Sequence, residues 1–452
     1  MDVLVQFLKD LFFLLSINSA EDIPKLLAYL APLLIAWTLF RRIKHKDSQR
    51  SAEKMQAANA TGAEPPTLHP LIDYNKCLGC GTCVTACPEG DVLGIINDKA
   101  FLVTPGPCIG HGACKSACPQ DAITLVFGTA RRGLDIPVVK PNFETNVPGI
   151  FIAGELGGMG LIRNAIEQGR QAMEYVAKTP GVGQGNALDV VIVGAGPAGF
   201  AASLSALKNR LRFVTIEQDS LGGTVAHFPR GKVVMSAPAE LPIYGKVNFR
   251  DTTKESIIAL WQDVAKKTGV RINYQERMEN ITKTDDGFIL ETNKHRYLTK
   301  NVLLSIGRRG TPRTLDVPGE DLPKVTYNLV DPEQYRNQRV LVVGGGNSAL
   351  EAANSIADEP GTNVILSYRG KAYSQAADNN IHKITEHAAA GRIKILLESE
   401  VRSIHPDSVE IHHRGKVQRI KNDAVIICAG GVLPTPMLKK FGIEIETKFG
   451  TA

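Results

Sequence analysis

Outside the segment from Cys77 to Cys118, the 452-residue sequence has one cysteine, Cys428. A secreted disulfide scaffold would spread its cysteines through a short chain, so that class is excluded. The net charge is only +6, and no dense basic patch accompanies it. That excludes a nucleic-acid footprint. With 43% hydrophobic and 22% charged residues, a disordered chain, a fibrous protein and a polytopic transporter are excluded too. What is present suffices for roughly three domains at about 150 residues each. The seven clustered cysteines read as reduced thiolates binding metal in a cytosolic compartment.

Residues 26–40, LLAYLAPLLIAWTLF, carry no charge. Extended back to Ile23, with Lys25 snorkelling, the run measures roughly 27 Å as a helix, enough for a thin bilayer core. Pro32 is tolerated in a membrane helix, and Tyr29 and Trp37 suit interfacial depths. Residues 41–54 carry six Lys/Arg against two acids, whereas residues 1–25 carry two Lys against four acids. The positive-inside rule puts everything after Phe40 in the cytoplasm. The expectation is a single-pass inner-membrane anchor over 23–40; a cleaved signal peptide or buried core helix is the alternative. The earlier apolar stretch 3–17, broken by Lys9 and Asp10, reads as an interfacial or partner-binding helix. Residues 47–70, rich in Ala, Ser, Thr, Glu and Pro, read as a linker.

Cys77, Cys80, Cys83 and Cys87-Pro88 follow the C-x2-C-x2-C-x3-C-P spacing. Three thiolates on one tight loop grip three irons of a cubane, and the fourth turns away to another cluster. The run Cys108, His111, Cys114, Cys118-Pro119 repeats the spacing with His111 in place of the second cysteine. A zinc site pairs two short knuckles and needs no proline-terminated run. Residues 71–127 thus resemble a bacterial two-cluster ferredoxin domain. The resemblance implies one cluster on Cys77, Cys80, Cys83 and Cys118, and another on Cys87, Cys108, Cys114 and His111. A neutral imidazole would make the second cluster easier to reduce. If His111 instead faces solvent, that cluster has three irons or is absent.

Residues 189–193, DVVIV, form a strand, and Gly194-Ala-Gly196-Pro-Ala-Gly199 opens a helix. Glu217 ends the next strand, 23 residues after Gly194. Gly194 and Gly196 let the backbone approach a pyrophosphate at a helix N-terminus, Gly199 permits close helix–strand packing, and Glu217 suits a ribose hydroxyl. A second unit follows Arg339, with Gly344-Gly-Gly346-Asn-Ser-Ala349 at its turn. Its next strand ends at Ser367-Tyr368-Arg369 without an acid. Arg369 suits a 2′-phosphate, which favours NADPH over NADH; a solvated surface arginine is the bland alternative.

Two such units in tandem, with the GGGNSA turn, resemble the thioredoxin-reductase-like branch of the flavoprotein disulfide reductase superfamily. The stretch Gly222-Gly223-Thr224 with FPRGKVVMSAPAELPIYGKV is similar to the flavin-side loop of bacillithiol disulfide reductases. Residues 145–155, TNVPGIFIAGE, resemble the motif that closes the flavin domain at its C-terminus in those proteins. Here the motif, with Gly154 and Glu155, precedes the GxGxxG turn. The order reads as a circular permutation, which surface termini tolerate. Glu155 stands where the family usually has Asp. The bacillithiol enzymes carry a cysteine in the GxGxxG turn, where this chain has Ala198, and Cys428 reads as a small buried hydrophobe. Direct disulfide reduction therefore lacks a thiol.

The expected fold class is α/β: two Rossmann-like domains binding FAD and NAD(P), a small α+β ferredoxin domain and an N-terminal transmembrane helix. The divisions read as 1–46 helix and anchor, 47–70 linker, 71–128 ferredoxin domain and 129–180 displaced flavin-domain motif. FAD-binding residues 187–315, NAD(P)-binding residues 316–435 and a return at 436–452 follow. The expected function is a membrane-anchored FAD-dependent NAD(P)H oxidoreductase with two iron–sulfur clusters. Its partner is a redox protein or a quinone at the cytoplasmic membrane face, and the resemblance implies a homodimer. The site includes Gly223 and Thr224 beside the flavin and no catalytic acid, base or nucleophile. The competing readings are a quinone or small-acceptor reductase and a non-enzymatic electron-transfer or redox-sensing subunit.

Overall fold

The computed structural model describes residues 23–450, apart from 61, 66–67, 159, 229, 231–232, 235–237, 249–251, 309 and 374–375. The expected interfacial helix at 3–17 lies outside the described residues. One helix, Ile23–Ala60, runs through Pro32 without a break. Leu33, Leu34, Ile35, Trp37, Leu39 and Phe40 are all exposed along it. Among the described residues, no helix is long and apolar enough to cross a membrane, so the expected span finds no support there.

The linker expected at 47–70 is corrected over 47–60, which is helical. The reason is propensity: RSAEKMQAANA is rich in Ala, Glu, Lys, Met and Gln, which lose little side-chain freedom in a helix. This half of the helix also has something to pack on. Ser51 lies against Gly94, Lys54 pairs with Asp91, and Lys44 pairs with Asp98 at 2.5 Å.

Gly94 and Asp98 belong to the hairpin formed by Leu93–Ile96 and Lys99–Leu102. A second antiparallel pair, His69–Ile72 with Ile123–Val126, completes the small cysteine-bearing unit. Its core contains Val92, Leu93 and Ile123 together with Cys77, Cys83, Cys87, Cys108 and Cys114.

The larger sheet nearby has six strands. Leu188–Val193 lies between Phe213–Ile216 and Arg296–Leu304, parallel to both. The far end of Arg296–Leu304 also pairs in parallel with Ile150–Ile152, placing that early segment inside the sheet. All three of its residues are buried. The following helix, Ile162–Val176, packs along Pro197–Lys208. The chain end returns here too: Leu438, Phe441 and Ile443 enter the core of this sheet, and Ile445–Lys448 pairs with Leu134–Pro137.

A second sheet of five parallel strands runs in the order Val325–Thr326, Ala424–Ile427, Arg339–Val343, Asn363–Tyr368 and Ile393–Leu397. The helix Asn347–Ala357 covers it with Leu350, Ala353 and Ile356. A three-stranded meander, Ser399–Lys421 in extent, lies beside it. Both sheets end their central strands at a glycine turn, which is where α/β folds place ligands.

Candidate functional site

A cavity of about 1620 Å³ spans the two glycine turns. Sites for single small ligands measure roughly 300–1,000 Å³, so this one has room for two dinucleotides. The lining brings together Gly154, Glu155, Gly194, Gly196, Glu217, Gly223, Thr224, Gly344, Gly346 and Arg369. Gly199 and Ala349 are not among the lining residues. A Cβ on Gly199 would stand 1.8 Å from the Gly194 carbonyl oxygen, and Ala349 is fully buried behind its turn. Both serve helix–strand packing.

The turn at Gly194 is held from below. Gly194 has φ +100, and a Cβ there would stand 2.6 Å from the Ser305 carbonyl oxygen. The Glu217 carboxylate accepts from the backbone N–H of Ala195 at 2.6 Å and of Asp219 at 3.0 Å. Above the turn, the nearest atom to a Cβ on Gly196 would be the Gly223 Cα at 3.9 Å. That gap lies at the N-terminus of the helix Pro197–Lys208, where the backbone dipole favours a phosphate. A pyrophosphate fits a cradle that two side chains would fill.

The other turn repeats the arrangement. Nothing lies within 4 Å of a Cβ on Gly346, which precedes the helix Asn347–Ala357. The Tyr368 ring covers Gly345 and stacks on Tyr373 with ring centroids 5.8 Å apart. Arg369 is exposed at the rim. Arg402, also lining the cavity and paired with Glu400 at 3.2 Å, was not foreseen. It arrives from the strand Ser399–His405, and no local signal in the sequence links that strand to this turn.

Arg308, near the cavity in sequence but not among its described lining residues, was not foreseen either. It is buried, its Nη2 donates to the Asp135 carbonyl at 3.0 Å, and its Nη1 is buried without a partner. Burial pushes its pKa down while nearby Glu155 raises it. A charged residue directly after the buried strand end VLLSIG was the available signal.

In the small unit, a second cavity is lined by Cys77, Cys80, Cys83 and Cys118, with Ile72 and Ile123 at its back. Backbone N–H groups of Ala100 and Ala122 donate to the Cys77 and Cys118 sulfurs at 3.4 and 3.3 Å. Cys87, Cys108 and Cys114 are buried. Burial, followed by neighbouring cysteines, pushes the Cys83 thiol up to about 11; burial raises Cys114 to about 11 too. His111 is half-buried, its Nε2 is buried without a hydrogen-bond partner, and burial pushes its pKa down, towards the neutral form that ligates metal. Among the described residues, no three His, Cys, Asp or Glu side chains converge tightly enough for a single ion. Cysteines ringing a cavity suit a cage of several irons instead.

Residues 191–450 match the family model described as pyridine nucleotide-disulphide oxidoreductase. The chain belongs to that family. Residues 69–119 match the model of a 4Fe-4S dicluster domain. As a member of the oxidoreductase family with this added domain, the chain is an FAD-dependent NAD(P)H oxidoreductase with iron–sulfur clusters. It is 29% identical to bacilliredoxin reductase Bdr of Bacillus subtilis over 58% of this chain and 82% of that protein. It is 27% identical to a ferredoxin–NADP reductase of Ignicoccus hospitalis over 58% of this chain and 83% of that one. The structure of bacillithiol disulfide reductase Bdr from Bacillus cereus superposes with a TM-score of 0.50 at 25% identity, covering 58% and 83% of the two chains. Among the described residues lining the large cavity, Cys428 is the one cysteine. A dithiol cannot form there.

Proposed function

We propose that this oxidoreductase passes electrons between NADPH and a ferredoxin-type one-electron carrier at the cytoplasmic face of a membrane. The observation that carries the reading is the cavity: it has room for two dinucleotides and lacks a dithiol. FAD bound there converts a two-electron hydride into single electrons, which iron–sulfur clusters carry.

The chain's own residues bind and orient. Gly196 and Gly223 leave the space for a pyrophosphate, Glu217 accepts from a ribose hydroxyl, and Thr224 and Gly154-Glu155 border the flavin. Gly344, Gly346 and the helix behind them hold the second dinucleotide, and Arg369 meets a 2′-phosphate. Cys77, Cys80, Cys83 and Cys118 hold one cluster; Cys87, Cys108, Cys114 and His111 hold the other. No side chain is needed as acid, base or nucleophile. Residues 129–180 read as a permuted C-terminal piece of the flavin domain, supported by the pairing of Ile150–Ile152 within its sheet. The carrier is proposed by analogy with the relative named ferredoxin–NADP reductase. Membrane attachment is supported by the exposed apolar residues around Trp37 and the basic flank after them.

The test is anaerobic. Iron and flavin are counted per chain, and NADPH and NADH are titrated in while EPR is recorded. About eight irons, one FAD and a cluster signal that grows with NADPH support the reading. Absence of flavin, or a flavin that NAD(P)H does not bleach, refutes it.

A further inference from the structure

The two cysteine loops are related by sequence, yet their surroundings differ. The antiparallel pair His69–Ile72 with Ile123–Val126 gives the small unit two ends, about 10 Å apart for strands this short. At one end, Ile72 and Ile123 back the cavity of Cys77, Cys80, Cys83 and Cys118. At the other, His69 pairs with Val126. A Cβ on Gly110, in the His111 loop, would stand 2.5 Å from the carbonyl oxygen of Leu68, just before that pair. Each loop therefore belongs to one end.

The ends face different neighbours. Phe127 directly follows Val126, and a Cβ on Gly158 would stand 2.6 Å from its ring. Gly158 lies three residues after Glu155, which lines the dinucleotide cavity. The His111 end is thus packed on the flavin motif. The opposite end is packed on the long helix. A Cβ on Gly79 would stand 2.2 Å from the Asp98 carbonyl oxygen, Asp98 pairs with Lys44 at 2.5 Å, and the Asn97 N–H donates to Ser48 at 3.2 Å. Lys44 is about 6 Å along the helix from Phe40, the last residue of the apolar run. On this loop Cys80 is exposed and Leu78 is 68% exposed. Cys77 and Cys83 are buried, as are Cys108 and Cys114, but the positions that match Cys80 and Leu78 on the other loop are the half-buried His111 and the less exposed Ile109, at 48%.

We propose that the two cysteine loops stand in series, with the His111 loop facing the flavin and the loop 77–83 forming the port to the external one-electron carrier. The proposal rests on the electron-transfer reading above and adds the order. In the NADPH-oxidising direction, hydride transfer yields NADP⁺ and, with one proton from water, reduced flavin. Two electrons then leave singly to two equivalents of the carrier, and two protons return to water. Leu78 and Cys80 form the small apolar contact that a transient redox encounter uses.

The test uses the full chain with clusters and FAD loaded. The protein is reduced with dithionite, and EPR power saturation is recorded with and without an aqueous gadolinium chelate. One cluster signal is expected to relax faster with the chelate, and Cys80→Ala is expected to remove that same signal. Leu78→Glu, which keeps every cysteine and adds a negative charge at the rim of that cavity, is expected to lower the midpoint potential of the accessible signal and leave the other in place. This second variant decides the matter if Cys80→Ala does not fold. In Cys108→Ala, NADPH is expected to bleach the flavin, while the remaining cluster stays oxidised until dithionite is added. The order is overturned if the accessible signal survives Cys80→Ala, if Leu78→Glu moves the shielded signal, or if NADPH fills the port cluster in Cys108→Ala at the wild-type rate. A wild-type flavin that NADPH does not bleach sinks the electron-transfer reading, whereas the chelate measurement still decides which loop is outermost.

Discussion

The join between the early segment and the flavin unit is concentrated at Gly169, in the helix Ile162–Val176. A Cβ there would stand 2.0 Å from the Ala198 carbonyl oxygen and 2.8 Å from its carbonyl carbon. Both obstacles are backbone, so no rotamer change relieves them. To reach an ordinary contact of 3.4 Å, the helices must part by about 1.4 Å. Overpacking of this kind costs about 3 kcal/mol, and replacing glycine in a helix returns roughly 1 kcal/mol. Gly169→Ala should therefore destabilise by about 2 kcal/mol, lowering Tm by about 4–8 °C for a unit of this size. Ala198 belongs to the flavin-side turn, so the displacement also opens the pyrophosphate cradle. If the full 2 kcal/mol appears in binding, FAD affinity falls roughly thirtyfold. Differential scanning fluorimetry and flavin-fluorescence titration read the two effects, with Arg163→Ala, exposed on the same helix, as the control. A Gly169→Ala protein with wild-type Tm and flavin affinity would refute the claim that residues 145–176 are an integral part of the flavin site.

The open glycines should behave oppositely. A Cβ on Gly346 meets nothing within 4 Å, so Gly346→Ala should leave Tm unchanged while raising KM for NADPH at least about tenfold, as expected when a phosphate cradle is filled. Arg369→Ala should weaken NADPH by about tenfold or more and leave NADH unaffected, since a charge-assisted hydrogen bond contributes about 1.5–3 kcal/mol; equal losses for both nucleotides would show that Arg369 does not read the 2′-phosphate. Asp423, paired with Arg339, has its carboxyl lowered to about 2 from 3.8. A depressed carboxylate stabilises above its unfolded pKa and loses that stabilisation as pH falls through the folded one. Wild-type stability, read by Tm, should thus drop between about pH 4 and 2 relative to Asp423→Asn, by no more than about 1 kcal/mol because the pair is partly exposed.

Much of this was legible because chemistry forces residue types into fixed spacings. A glycine turn after an apolar strand must bring backbone to a phosphate, and Gly194, Gly196, Gly344 and Gly346 all line the cavity. The resemblance to a two-cluster ferredoxin likewise implied the set Cys77, Cys80, Cys83 and Cys118, and those four line one cavity although Cys118 is distant in sequence. Spacing does not separate a residue that touches a ligand from one that makes room for it. Gly199 and Ala349 sit in the motifs, yet they face neighbouring backbone rather than the cavity. Composition misled at 47–60, because the Ala and Ser of a flexible linker are also found in a helix once a partner surface is available; that surface, the hairpin carrying Gly94 and Asp98, comes later in the chain. Arg402 was illegible for the same reason in sharper form, whereas Arg308 left only the trace of a charge directly after a buried strand end. Arg308 donates to the carbonyl of Asp135, remote in sequence, and Arg402 lines the same cavity as the distant turn at Gly344. Local pattern therefore determines which turns can hold phosphates. Long-range pairing determines which charges surround them: Arg369, Glu400 and Arg402 reach the cavity from segments that follow Gly344 in the chain.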